Sequence, residues 1–370
     1  VREQLNNNNS IIRQNEQSLV VNVCELEPED SRAVFKNINV DMRQYKKLKM
    51  FIHAEDGEFG GFDLGNMVAF VRMGNDFTQN YYQLEIPLRK SSGATGASEN
   101  EVWPEYNEIN IPLEFLEQIK ALGISLGTLG NENPLFYNVI DGELQEGTVG
   151  EFDSFSMSSD EVPFEQRIAV KGNPNFGDIR TLMLGIKNIG PTNQCAEVWF
   201  NELRLADMDN EGGWAAVMSM DTNIADFMNI NANAKRTTTG FGTLEQGPNE
   251  RSREDLKQYD VVTNINVGQL LPKKWGLEIP FNYGQSETLI TPEYDQQYKD
   301  LKLQSRLDAA TSSEERDRIE NQSEDYTKRK SINFIGVRKN KTGDAKPRVY
   351  DVENLTLNYS FNEMKHRDFE

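Results

Sequence analysis

Six segments in the last two-fifths of the chain, 214–222, 227–239, 259–269, 276–286, 331–339 and 354–362, alternate between apolar and polar residues. A strand turns successive side chains to opposite faces, so such a segment becomes greasy on one side and amide- or hydroxyl-rich on the other. The clearest has Leu355, Leu357, Tyr359 and Phe361 interleaved with Asn354, Thr356, Asn358 and Ser360. Met218 and Met220 alternate with Val217, Ser219 and Asp221, and Met228, Ile230, Ala232 and Ala234 with Asn229, Asn231, Asn233 and Lys235. Tyr259, Val261, Ile265 and Val267 stand against Asp260, Asn264, Asn266 and Gly268; Leu277, Ile279, Phe281 and Tyr283 stand against Glu278, Asn282 and Gly284. In 331–339 the pattern conflicts, because Ile332 and Phe334 fall on one face and Ile335 and Val337 on the other. Two architectures share this period: an outer-membrane β-barrel wall, and an antiparallel sheet with one wet face.

Loop lengths favour the barrel. Short turns at 223–226 and 270–275 join the strands of two hairpins, whereas 240–258 and 287–329 are long and charged. Alternating short and long connections are what outer-membrane barrels show, with the long loops outside the cell. Within the second long connection, Thr291-Pro292 offers a helix start and Ser312 with Glu315 a capping box, so 289–328 is expected to hold a charged helical pair.

The net charge of −20 repels polyanions, so nucleic acid is not an expected partner. A mean hydropathy of −0.65 argues against a transmembrane helix, but a barrel strand needs only every second residue apolar. Six strands are too few to close the smallest usual barrel, and no signal peptide opens the chain, so it reads as part of a longer exported protein. Cys24 and Cys195 are compatible either with one long-loop disulfide or with two buried thiols.

Residues 1–18 read as a polar lead-in. From 19 to 207 the pattern is of short strands, at 19–24, 32–40, 47–54, 67–73, 80–87, 108–111, 166–170, 181–186 and 196–205, with one helix at 113–122. Many short strands separated by turn residues suggest a sandwich or jelly roll. The expected fold is therefore all-β: a jelly-roll sandwich, then, over 208–370, antiparallel strands of an incomplete outer-membrane barrel with a helical loop insertion.

Catalytic constellations are sparse. His53 and His366 lie far apart, His53 reading as a half-buried strand residue, and no triad, zinc set or phosphate-binding glycine loop is spelled out. The acidic turn around Asp56, Glu58 and Asp63 has oxygen ligands suited to calcium, though it also reads as a solvated hairpin tip. Trp103, Tyr106, Tyr81, Tyr82 and Trp199 are candidates for stacking on a sugar, or for filling the sandwich core. No enzymatic activity and no cofactor are expected.

The stretches Val40-Asp41-Met42-Arg43-Gln44-Tyr45-Lys46-Lys47-Leu48 and Glu197-Val198-Trp199-Phe200-Asn201-Glu202-Leu203-Arg204-Leu205 look like the opening and final strands of galactose-binding-like jelly rolls. From Glu197 onward the text is more specific: Gly212-Gly213-Trp214-Ala215-Ala216, Asn223-Ile224-Ala225-Asp226-Phe227, Lys235-Arg236-Thr237-Thr238-Thr239-Gly240-Phe241-Gly242 and Leu277-Glu278-Ile279-Pro280-Phe281. It strongly resembles the SprA (Sov) family of Bacteroidota cell-surface proteins, the outer-membrane translocon of the type IX secretion system, required for gliding motility. The resemblance implies a very large protein-conducting barrel, with secreted cargo, a companion outer-membrane barrel and a periplasmic plug as partners. The sandwich would then be an extracellular, cap-like unit.

On that reading Met218, Met220, Met228, Ile230, Leu277, Ile279, Phe281, Leu355, Leu357 and Tyr359 face lipid. Asn229, Asn231, Asn233, Asn264, Asn266, Asn282, Asn354 and Asn358 face the lumen, where neutral amides offer cargo no large apolar patch. The rival expectation is a soluble or surface-anchored glycan-binding adhesin with two sandwich units, which would show polar residues on both faces of 214–362.

Overall fold

The computed structural model describes residues 2–5, 11–14, 17–57, 66–94, 96–155, 165–247, 250–343 and 348–369. They divide into two compact units. The first comprises Val1–Asp209 with Lys299–Leu301 and Asp308–Ala310, and the second Asn210–Tyr298, Lys302–Leu307 and Thr311–Glu370. Among the described residues the fold is all-β with antiparallel pairing, and none of the sheets closes on itself.

The lead-in is itself a small hairpin, β1 (Arg2–Leu5) with β2 (Ile11–Gln14). The remaining strands of the first unit are β3 (Leu19–Leu26), β4 (Ser31–Val40), β5 (Tyr45–Asp56), β6 (Met67–Gly74), β7 (Tyr81–Pro87), β8 (Ile109–Pro112), β9 (Leu135–Ile140), β10 (Glu143–Leu144), β11 (Glu165–Lys171), β12 (Ile179–Asn188) and β13 (Gln194–Met208), with helices α1 (Glu99–Val102) and α2 (Leu113–Leu126). They build a seven-stranded sheet, β10-β9-β11-β7-β6-β12-β4, and a four-stranded one, β3-β13-β5-β8.

Alternation decides which side of each strand enters the core between these sheets. Met50 and Ile52 of β5 and Val198 and Phe200 of β13 are buried with Ala69, Val71, Leu84 and Ile86 of β6 and β7, and Leu203 packs on the edge of this core. β6 and β7 are almost continuously buried because their other face is covered too, and there Arg72, Gln83 and Glu85 lie beside the apolar Val68 and Phe70. Glu85 accepts from Lys187 Nζ and Gln83 Nε2, each at 2.6 Å, and burial pushes its carboxyl up against the opposing pull of Lys187. Cys24 and Cys195 are joined in a disulfide between the neighbouring strands β3 and β13.

The second unit is an antiparallel meander. Its strands are β14 (Ala215–Ile224), β15 (Met228–Thr237), β16 (Glu254–Asn266), β17 (Leu277–Glu278), β18 (Pro280–Pro292), β19 (Asp325–Lys339) and β20 (Thr356–Arg367). β17 and β18 are one line interrupted at Ile279, so there are six lines in the order β14-β15-β16-β17/β18-β19-β20. Several strands run further than the alternation suggests, β16 starting at Glu254, β18 reaching Pro292 and β19 starting at Asp325. Thr291-Pro292 therefore ends a strand instead of starting a helix. The helical pair is α3 (Leu303–Asp308) and α4 (Ser313–Ser323), the latter capped by Ser312, whose side chain accepts from Glu315 N at 3.1 Å.

Candidate functional site: a two-faced wall

Residues directly opposite in an antiparallel pair share a face, so the register assigns every wall side chain to one side or the other. One row reads Asn223, Asn229, Asn264, Asn282, Asn333 and Ser360 across all six lines. Four of its members are hydrogen-bonded in sequence: Asn282 Nδ2 donates to Asn264 (2.8 Å), Asn333 Nδ2 to Asn282 (3.0 Å) and Ser360 Oγ to Asn333 (2.5 Å). The next rows on this face hold Asp221 with Asn231 and Ser331 with Asn362, then Ser219 with Asn233. A groove of about 390 Å³ is lined by Asn229, Asn264, Asn282 and Asn333 among others, and one of about 350 Å³ by Asp260, Ser286, Arg329, Ser331 and Asn362.

The opposite face is different. One row is Met228, Ile265, Phe281, Phe334 and Tyr359, and the next is Ile230, Thr263, Tyr283, Ile332 and Phe361. Met220 and Met218 continue it on β14 beside Ala232 and Ala234 of β15. Toward the long-loop end this face turns polar. Gln285, Lys330 and Glu363 form one row there, Tyr259, Glu287, Lys328 and Lys365 the next, and Arg236, Lys257, Tyr326 and Arg367 reach the row beyond. The hydroxyls of Tyr259 (2.6 Å) and Tyr326 (2.7 Å) both donate to Glu287, and the Arg236 guanidinium lies 5.0 Å over the Trp214 ring.

The conflict in 331–339 is resolved by one glycine. Gly336 has φ +79°, which side chains avoid, and pairing with β20 slips between Phe334 and Val337. The extra residue of this bulge returns Val337, paired with Leu357, to the apolar face, while Ile335 stays on the amide face and is exposed.

Of the residues singled out as apolar, Met218, Met220, Met228, Ile230, Leu277, Phe281, Leu357 and Tyr359 share the apolar face. Ile279 falls in the break before Pro280, and Leu355 closes a one-turn 3-10 helix ahead of β20, so neither is a strand residue. Asn229, Asn231, Asn233, Asn264, Asn282 and Asn358 share the amide face, and Asn266 ends β16 opposite Pro280. Asn354 lies in the same 3-10 turn as Leu355, its amide donating to the carbonyls of Arg348 and Val349; Val267 and Gly268 also lie in a 3-10 turn. The pattern left out Asn333, which the position between Ile332 and Phe334 could have revealed.

The other candidates are not gathered into a site. His53 is fully buried, not half-buried, with Nδ1 2.6 Å from the Val102 carbonyl and Nε2 2.9 Å from Glu55, between the rings of Trp199 and Trp103. Tyr81 and Tyr82 are buried, Tyr82 stacked on Phe176 at 4.3 Å, so the five aromatics form no common platform. Asp56 pairs with Lys90, while Glu58 and Asp63 lie outside the described residues. Among the described residues no group of three or more His, Cys, Asp or Glu is placed to hold a metal ion. Among the described residues no helix is long and apolar enough to cross a membrane.

A family model, SprA_N, described as motility related/secretion protein, matches residues 1–307. The chain belongs to the SprA family. The match spans the whole sandwich and continues through β14 to β18 of the wall. This is a motility- and secretion-related protein. No curated protein sequence matches it.

Proposed function

We propose that the six-line meander of this SprA-family chain is part of the wall of an outer-membrane protein-conducting channel, its amide face lining the lumen and its apolar face meeting lipid. The observation that carries the reading is the hydrogen-bonded row of asparagines on one face, backed by Met228, Ile265, Phe281, Phe334 and Tyr359 on the other. A lumen for proteins in transit is served by a wetted surface without a large apolar patch, and a row of neutral amides supplies hydrogen-bonding groups for it. The adhesin alternative calls for polar side chains on both faces of 214–362; the rows from Met228 to Phe361 are polar on one face alone, whereas toward the long-loop end both faces carry polar residues.

A second feature supports the bilayer. The long-loop edge of the apolar zone runs through Met218, Ala234 and Tyr259 on β14 to β16, and through Tyr283, Ile332 and Phe361 on β18 to β20. Counted from Met218 or from Ala216, it drops four to six residues over five strand spacings. That is about 13–20 Å over about 24 Å, a slope of about 30–40°. Barrel strands tilted roughly 35–45° to the membrane normal give an oblique edge of this kind. The Cys24–Cys195 disulfide suits an oxidising compartment outside the cytosol.

On this reading the chain catalyses no reaction, sits in the outer membrane with the sandwich on the extracellular side, and works with secreted cargo proteins, a companion barrel and a periplasmic plug. Replacing Asn264, Asn282 and Asn333 together by leucine tests it. Cargo release should slow while the variant still co-fractionates with outer membranes. Undiminished release, or a wild-type chain that stays in the aqueous fraction, would remove the channel reading.

A further inference from the structure

Cations collect on one face of the wall, in a chain whose overall balance is −20. Past the oblique long-loop edge of the apolar zone, within three rows, the apolar face carries Arg236, Lys257, Lys328, Lys330, Lys365 and Arg367. Only Glu287 and Glu363 oppose them within those rows. These six side chains lie on four strands, and Trp214, Tyr259 and Tyr326 are interleaved with them.

We propose that this belt binds the phosphate groups of anionic lipid headgroups in the leaflet at the long-loop end. The inference rests on the reading that the apolar face meets lipid. Two physical points carry it beyond that reading. A solvated strand extension in an acidic protein has no reason to concentrate positive charge on one face. At the boundary of a bilayer, however, each lysine or arginine beside anionic headgroups adds favourable energy, and long side chains reach the phosphates while their stems lie on the apolar zone. Three of the six are already ion-paired, Lys328 with Glu287 at 3.7 Å, Lys365 with Glu363 at 3.3 Å and Arg367 with Glu324 at 3.1 Å, which leaves the cations of the belt in excess over the acids beside them. The aromatic rings beside them are the residue types that settle at headgroup depth.

The full chain is to be refolded with phosphatidylcholine vesicles and with phosphatidylcholine vesicles doped with phosphatidic acid, and its flotation with each compared. Wild type should prefer the doped vesicles, and the preference should shrink with added salt. Lys257→Gln, Lys330→Gln and Lys365→Gln combined should weaken that preference about tenfold or more, while binding to phosphatidylcholine alone persists. Removing Lys235 and Arg329 on the amide face, as Lys235→Gln with Arg329→Gln, should leave it in place.

Equal wild-type binding to both vesicles would overturn the belt and leave the lipid-facing wall standing. Equal loss per charge removed in the triple and the double variant would reduce the effect to net charge and also overturn it. Competition by inorganic phosphate at matched phosphorus concentration would mean a free-phosphate site instead of a lipid interface. Failure to float with either vesicle would remove the lipid-facing wall and the belt together.

Discussion

Leu357 and Asn358 are neighbours in β20 and point to opposite faces, which makes them a matched pair for testing the wall. Leu357→Arg puts a charge among Val337, Tyr359 and Phe334, and near a bilayer midplane this costs about 2–4 kcal/mol. Asn358→Arg changes the amide face and should be tolerated, so comparable assembly of the two variants would count against the barrel. A second residue-scale expectation concerns Glu85, whose carboxyl is raised above its ordinary value of 4.5 by burial. A raised acid is favourable to folding below the unfolded value and loses that contribution as pH climbs through the folded one. Glu85→Gln should therefore flatten the decline in sandwich stability on raising pH above about 4.5, measured by urea unfolding. Lys187→Met should cost about 3–5 kcal/mol at neutral pH, because it removes the ammonium that compensates a buried carboxylate. At this scale the faces of the wall were legible from alternation wherever strands are regular. They were illegible at Gly336, where hydropathy carries no sign of a bulge, and at Asn354 and Leu355, whose alternating pattern continues into a 3-10 turn.

Among elements, the wall strands outrun their pattern at the long-loop end. Alternation reports burial against something apolar, whereas the hydrogen-bond ladder of β18 and β19 continues past it through Glu287, Thr288, Lys328 and Thr327 with no change of period to mark it. β9 escaped for the opposite reason, since Leu135–Ile140 is a nearly unbroken apolar run without a period. The connections kept their predicted character. The short links are the turn after Ile224 and the 3-10 segment Lys273–Trp275, which Gly276 closes at φ +63°. Sidedness follows from the meander, because successive crossings of one sheet alternate in direction. Cysteines introduced as Ser252→Cys and Ser313→Cys should react with an impermeant thiol reagent on intact cells, and Lys273→Cys should not. The opposite labelling pattern would invert the wall.

At the scale of the molecule, the sandwich is not one continuous stretch of sequence. Lys299–Leu301 belongs to it, and Asp300 accepts from Lys120 Nζ at 2.7 and 2.9 Å, with both side chains almost wholly buried. Tyr82, stacked on Phe176, donates its hydroxyl to the same carboxylate at 3.4 Å, and Phe176 N donates at 3.3 Å. Nothing in the local text around Asp300 announces this, since an aspartate in a charged connection reads as solvated until the fold supplies a buried lysine 180 residues away. Asp300 thus adds a buried partner to the fold of 19–207. A piece ending at 207 would bury the Lys120 ammonium against the Pro174 carbonyl without its carboxylate, at a cost of about 3–5 kcal/mol. Exchanging the lysine for an apolar residue of similar length removes that cost. The 19–207 piece with Lys120→Met should thus be more stable to urea than the unaltered piece, whereas in the full chain the same substitution should bring no such gain. Equal stability of the two pieces would show that Lys120 escapes to solvent in the shortened chain, and that the buried pair contributes little to holding the sandwich together.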